Sequence, residues 1–97
     1  MAEDTRSSLR RADTLTRHGR YLEANAIFER VAGEFVALGF ALKAVAVAKQ
    51  VVHICDSHRL VPRKTALRIL VDGYAMLGLD AEAEEAGKRL AEVERPN

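Results

Sequence analysis

Apolar side chains recur along this chain with the period of an α-helix, in five stretches set apart by single glycines or by one polar loop. The first stretch, residues 5–18, has a thin apolar face of Leu9, Ala12 and Leu15. The second, 21–38, places Ala24, Ile27, Phe28, Val31 and Phe35 at helical spacing. The third, 40–55, has few polar residues: Lys43, Lys49, Gln50 and His53. A helix apolar on nearly all sides must be covered on nearly all sides, so this one is expected at the centre. A loop over 56–62 follows. The fourth helix, 63–77, turns Ala66, Leu67, Ile69, Leu70, Tyr74 and Leu77 inward, and the fifth, 80–94, does so with Ala83, Ala86, Leu90 and Val93. The outer face of the fifth sets Glu84 before Lys88 and Glu85 before Arg89, the favourable order for pairs one turn apart. That coat suits a terminal, capping helix.

Two places run against this pattern. Residues 44–54 are rich in β-branched Val and Ile and alone could form a strand. Asp72-Gly73 is a turn dipeptide in mid-helix. In both the flanking helical period is longer, so helix is retained. The fold class expected is all-α, a single domain over 1–97, ordered over about 5–94, with 1–4 and 95–97 frayed.

Gly19, Gly39 and Gly78 give the chain an internal register. Each is followed five residues on by alanine (Ala24, Ala44, Ala83) and seven further on by Val31, Val51 or Leu90. Four before each glycine stands Leu15, Phe35 or Tyr74, and seven before it Ala12, Ala32 or Val71. The small residues let paired helices approach closely. This pattern resembles the tetratricopeptide repeat, a helix–turn–helix unit of about 34 residues. The resemblance covers roughly residues 5–94 and implies a short right-handed array of antiparallel helix hairpins. The chain departs from the family in its spacing: the second and third glycines are farther apart than one repeat, and the first and second closer. Ala48 and Gly87 replace the usual large aromatic, and Asp56 replaces the closing proline, with Pro96 near that place at the end. Two pairings therefore stay open. Helices two–three and four–five make units with a groove on the second and fourth helices; one–two and three–four would move it to the first and third.

Composition narrows the function classes. Fifteen Lys/Arg against fourteen Asp/Glu leave a net charge of +1, which argues against nucleic acid. The charge is uneven: residues 1–20 carry five arginines, and 80–97 carry six acids. One cysteine, Cys55, allows no internal disulfide and fits a reducing compartment. Residues 1–11 lack the apolar core of a secretory signal and no apolar run approaches a membrane span, so a cytoplasmic location is expected.

The segment His53-Ile54-Cys55-Asp56-Ser57-His58 has metal-ligand residue types. His53 and Cys55 stand two apart on a helix and point to different faces, whereas zinc needs four ligands, or three and water. The expected arrangement is Cys55 packed as a small hydrophobe and both histidines in solvent. No third group for a Cys55–His58 nucleophile and no glycine-rich phosphate loop is present, so no catalysis, metal or cofactor is expected. The arginines Arg6, Arg10, Arg17 and Arg20 make a strip interrupted by Asp13 and preceded by Glu3 and Asp4; as a lone feature it reads as a solvated face. A second basic group is Arg59, Arg63, Lys64 and Arg68.

The resemblance implies a non-catalytic protein- or peptide-binding adaptor with a concave groove. Carrying the family's groove positions onto the first pairing gives Asn25 and Glu29 on the second helix and Thr65, Arg68, Asp72 and Met76 on the fourth. Lys64 stands one turn before Arg68, and the cluster suits an acidic or C-terminal carboxylate on a partner; Arg68 and Asp72 also stand at pairing distance from each other. A homo-oligomer completed through the apolar third helix is the alternative, and nucleic-acid or anionic-ligand binding through the basic residues is a third reading, which steep salt dependence would mark.

Overall fold

The computed structural model describes residues 4–95. Five helices follow one another: α1 (Thr5–Arg17), α2 (Tyr21–Ala37), α3 (Ala41–Ser57), α4 (Lys64–Met76) and α5 (Asp80–Glu94). No strand occurs among the described residues, and 44–54 lies within α3. The expected boundaries agree to a residue, except that α3 runs two residues farther and the loop shifts accordingly. The frayed ends expected at 1–4 and 95–97 fall mostly outside the described residues. Asp4 caps α1, its carboxylate accepting from Arg6 N at 3.1 Å.

One turn design is used four times. At Gly19, Gly39 and Gly78 the backbone enters the left-handed region, with φ of 75°, 83° and 73°. The next residue then donates its N–H to the carbonyl five back, Arg20 to Leu15, Phe40 to Phe35 and Leu79 to Tyr74, at 2.8–2.9 Å. The fourth turn has the same bond, Leu60 to Cys55 at 2.8 Å, with Arg59 at φ 55° where the others have glycine.

Each helix packs antiparallel against the next, and α2 also meets α4. No Cα of α1 comes within 8 Å of one in α3, nor any of α3 within 8 Å of one in α5. Two layers result, α2 and α4 on one side and α1, α3 and α5 on the other. The core lies between them: Ala24, Phe28, Val31 and Ala32 of α2, Ala44, Ala48, Val51 and Ile54 of α3, and Ala66, Leu67 and Leu70 of α4. α3 sits centrally but is covered on two sides only, since Leu42 on its open face is 71% exposed.

Gly73 accounts for the turn dipeptide inside α4. It is buried against α3, where a Cβ would lie 2.6 Å from Val45 Cγ2. The glycine permits close helix approach and is not a turn signal.

Candidate interaction surface

The α2–α4 contact is built on a polar seam. Glu29 is buried on α2 and its two oxygens are both used. Oε1 accepts from Arg63 Nε at 2.7 Å, and Oε2 accepts from the backbone N–H of Ala66 at 3.2 Å. The bond from Glu29 holds the Arg63 guanidinium charged, raising its pKa further. One turn earlier, Asn25 is fully buried and its amide meets Cys55 Sγ at 3.6 Å, leaving Oδ1 without a hydrogen-bond partner.

These contacts correct the expected groove. Asn25 and Glu29 do not present free side chains to a partner; they are consumed in joining α2 to α3 and α4. The α2 stripe beside α4 consists of Leu22, Ala26 and Gly33, which share a face with Glu29. Leu22 is exposed, and a Cβ at Gly33 would meet nothing within 4 Å. On α4, Lys64, Thr65, Arg68, Asp72 and Met76 are all exposed. Arg68 does not pair with Asp72. Its guanidinium reaches Glu94 on α5 at 2.8 Å. Arg89 likewise leaves its expected partner Glu85 and crosses to Asp56 on α3, whose carboxylate raises its pKa. Glu84 and Lys88 pair as expected, at 3.6 Å.

Two open cavities flank this face. One of about 440 Å³ is lined by Leu22, Glu29, Val61, Pro62, Lys64 and Thr65. The other, about 420 Å³, lies at the opposite end among Phe40, Leu42, Met76 and Leu77. Of the residues at these apolar mouths, Met76 is among the expected groove positions, whereas Leu22, Val61 and Phe40 are not.

The histidine–cysteine segment is dispersed. His53 is exposed with Ser57 Oγ 3.4 Å away, and His58 stacks on Tyr21 with ring centroids 3.9 Å apart. No group of three His, Cys, Asp or Glu side chains that could hold a metal occurs among the described residues. Cys55 is 2% exposed, and burial raises its pKa against the opposing pull of Arg63. The thiol therefore stays protonated at neutral pH, and the thiolate is the nucleophile. Because the folded chain holds this proton more tightly than the unfolded one, the associated stability is present below the unfolded thiol's pKa and lost as pH rises through the folded one. An aromatic disulfide reagent at pH 8 is expected to label Cys55 slowly in the native chain and completely in urea. Fast native labelling would show that α2, α3 and α4 do not close over it.

No helix among the described residues is long and apolar enough to cross a membrane. Compared with known proteins, the chain matches no family model, no curated protein and no solved structure.

Proposed function

We propose that the chain is a non-catalytic protein- or peptide-binding module of tetratricopeptide-repeat type, with the α2–α4 face as its docking surface. The observation that carries this reading is the layering: α2 and α4 approach each other while α1, α3 and α5 stand apart. In stacked helix hairpins, the helices that approach each other line the inner face. That face offers exposed polar groups between two apolar mouths, the mixture that fixes a peptide's register and anchors its ends. A free, buried thiol fits the reducing cytoplasm. Self-association is the second reading, favoured by two apolar turns at one end, Leu38-Gly39-Phe40 and Leu77-Gly78-Leu79, whose large side chains are all exposed.

The test uses random peptides displayed on phage, selected against the full chain and then titrated as free peptides. Arg68→Glu is expected to weaken the α2–α4 binders by about tenfold or more, since a charge-assisted bond is worth ~1.5–3 kcal/mol. Helix content should not change, because Arg68 is exposed and its pair with Glu94 lies at the surface. Lys88→Glu, on the outer face of α5, is the control and should do little. If no selected peptide responds to Arg68→Glu, the α2–α4 face is not the docking surface. Mass by light scattering decides the second reading.

A further inference from the structure

Two clefts open on the outer side of the bundle, and the glycine register makes them copies of one another. One lies between α1 and α3 over Phe35, the other between α3 and α5 over Tyr74. Phe35 and Tyr74 stand four residues before Gly39 and Gly78; the rim residues Lys43 and Glu82 stand four after the same glycines.

The copies differ in closure and in charge. The α3–α5 cleft is bordered by Arg89 reaching Asp56, and is the smaller, at about 210 Å³. By the same register the corresponding positions in the α1–α3 pair are Gln50 and Thr16. Thr16 donates its hydroxyl to Ala12 O of its own helix. No ion pair among the described residues spans this cleft, which opens to about 630 Å³. Its rim carries Arg6, Arg10 and Lys43, where the other cleft carries Glu82 and Glu85. None of the three cations is in an ion pair with a described residue. Lys43 Nζ lies 5.8 Å from the Phe35 ring and 5.3 Å from that of Phe40. The opposing acids are Asp13 and Asp4, and Asp4 is turned to its own helix, accepting from Arg6 N and Ser7 Oγ.

We propose that the α1–α3 cleft is a second docking site, which shares only Lys43 with the cavity at Phe40 and Met76 beside the α2–α4 face. It takes an acidic segment of a partner protein that carries an aromatic or branched apolar side chain within one helical turn of Asp or Glu. The apolar group packs on Leu9 and Phe35. The carboxylates meet the guanidinium forks of Arg6 and Arg10 and the ammonium of Lys43. A basic strip alone is a solvated face; here it borders a concave aromatic floor, and the equivalent cleft has the opposite sign. A second copy of the chain fits less well. The outer face of α5 is acidic, but it offers Ala81 and Ala91 beside Glu84 and Glu92, with nothing to fill the floor.

The phage selection against the full chain, with random peptides about four helical turns long, tests this separately. A family of acidic, aromatic-containing binders is expected. Arg6→Glu combined with Arg10→Glu, both outside the Phe40/Met76 cavity, should weaken them by about tenfold or more, and Arg68→Glu should leave them unchanged. All three side chains are exposed, and circular dichroism of the variants checks that the helices persist. Absence of such a family, or binding unmoved by the double change, overturns the proposal. Loss on Arg68→Glu instead assigns these peptides to the α2–α4 face and overturns the second site. A mass that doubles with concentration and reverts on Lys43→Glu makes the occupant another copy, which also overturns it.

Discussion

Replacing Glu29 with alanine is expected to cost the fold about 2–3 kcal/mol, although a glutamate in mid-helix would ordinarily be dispensable. Two things are lost at once. The N–H of Ala66, buried in the first turn of α4, loses its acceptor, and leaving a buried donor unpaired costs ~1–3 kcal/mol. Arg63 loses the anion that holds it. Breaking a fully buried ion pair costs roughly 3–5 kcal/mol, but Arg63 is 35% exposed and can swing into water, so its share is smaller. For a domain of this size each kcal/mol moves the melting midpoint by ~4–8 °C, so the loss should be plain in a thermal scan. Glu29→Gln keeps an acceptor for Ala66 and should fall between. Glu84→Ala is the control: its pair with Lys88 is exposed on both sides and should lie within ~0.5 kcal/mol of the parent. Equal, small effects at positions 29 and 84 would mean that α2 and α4 are not joined through this carboxylate, and the proposed docking face would lose its frame.

What the sequence made legible was whatever is local to one helix. The five periods gave the helices, and the glycines at positive φ gave three turns. The sequence marks the fourth connection as a loop over 56–62 but hides its shared turn geometry, because Arg59 holds the left-handed position, which costs an L-residue roughly 1–2 kcal/mol and leaves no glycine to mark it. The β-branched run in α3 was correctly kept as helix: Val45, Val47, Val51 and Ile54 are buried there, and packing outweighs propensity.

Contacts between helices were the part least visible. Rules for pairs one turn apart matched Arg68 with Asp72 and Arg89 with Glu85. Both arginines instead reach neighbouring helices, to Glu94 and Asp56, because a long side chain on a half-exposed face can bridge helices as easily as it can fold along its own. Asn25 and Glu29 are expected in the groove because the family's groove positions fall on them. Their burial follows from the α2–α4 approach, which one helix's periodicity cannot reveal. A usable signal was Arg63, of opposite charge and 34 residues after Glu29, the length of one repeat.

Gly73 gives the sharpest test of that close packing, because the sign of the effect should invert between glycines. In an open helix position Gly→Ala stabilises by up to ~1 kcal/mol, through the lost flexibility of the unfolded chain and the better propensity of alanine. Gly33 and Gly87 are such positions, since a Cβ at either meets nothing within 4 Å, and both substitutions should raise the melting midpoint. At Gly73 the same methyl would lie 2.6 Å from Val45 Cγ2 and 3.6 Å from Ala41 O. Val45 is itself buried in α3 and branched at Cβ, so it has no free rotamer into which to retreat. Overpacking costs typically 1–3 kcal/mol, enough to outweigh the propensity gain, and Gly73→Ala should therefore destabilise by about 1–2 kcal/mol. Gly73→Val adds bulk to the same contact and should cost about 3 kcal/mol, by prying α4 from α3. Val45→Ala removes the obstructing methyl. The double change Val45→Ala with Gly73→Ala should then be no worse than Val45→Ala alone, a coupling that urea unfolding of the four chains measures directly. If Gly73→Ala stabilises as Gly33→Ala does, then α3 and α4 are not held at this distance, and Asp72 and Met76, which flank Gly73, would not sit where the docking face needs them.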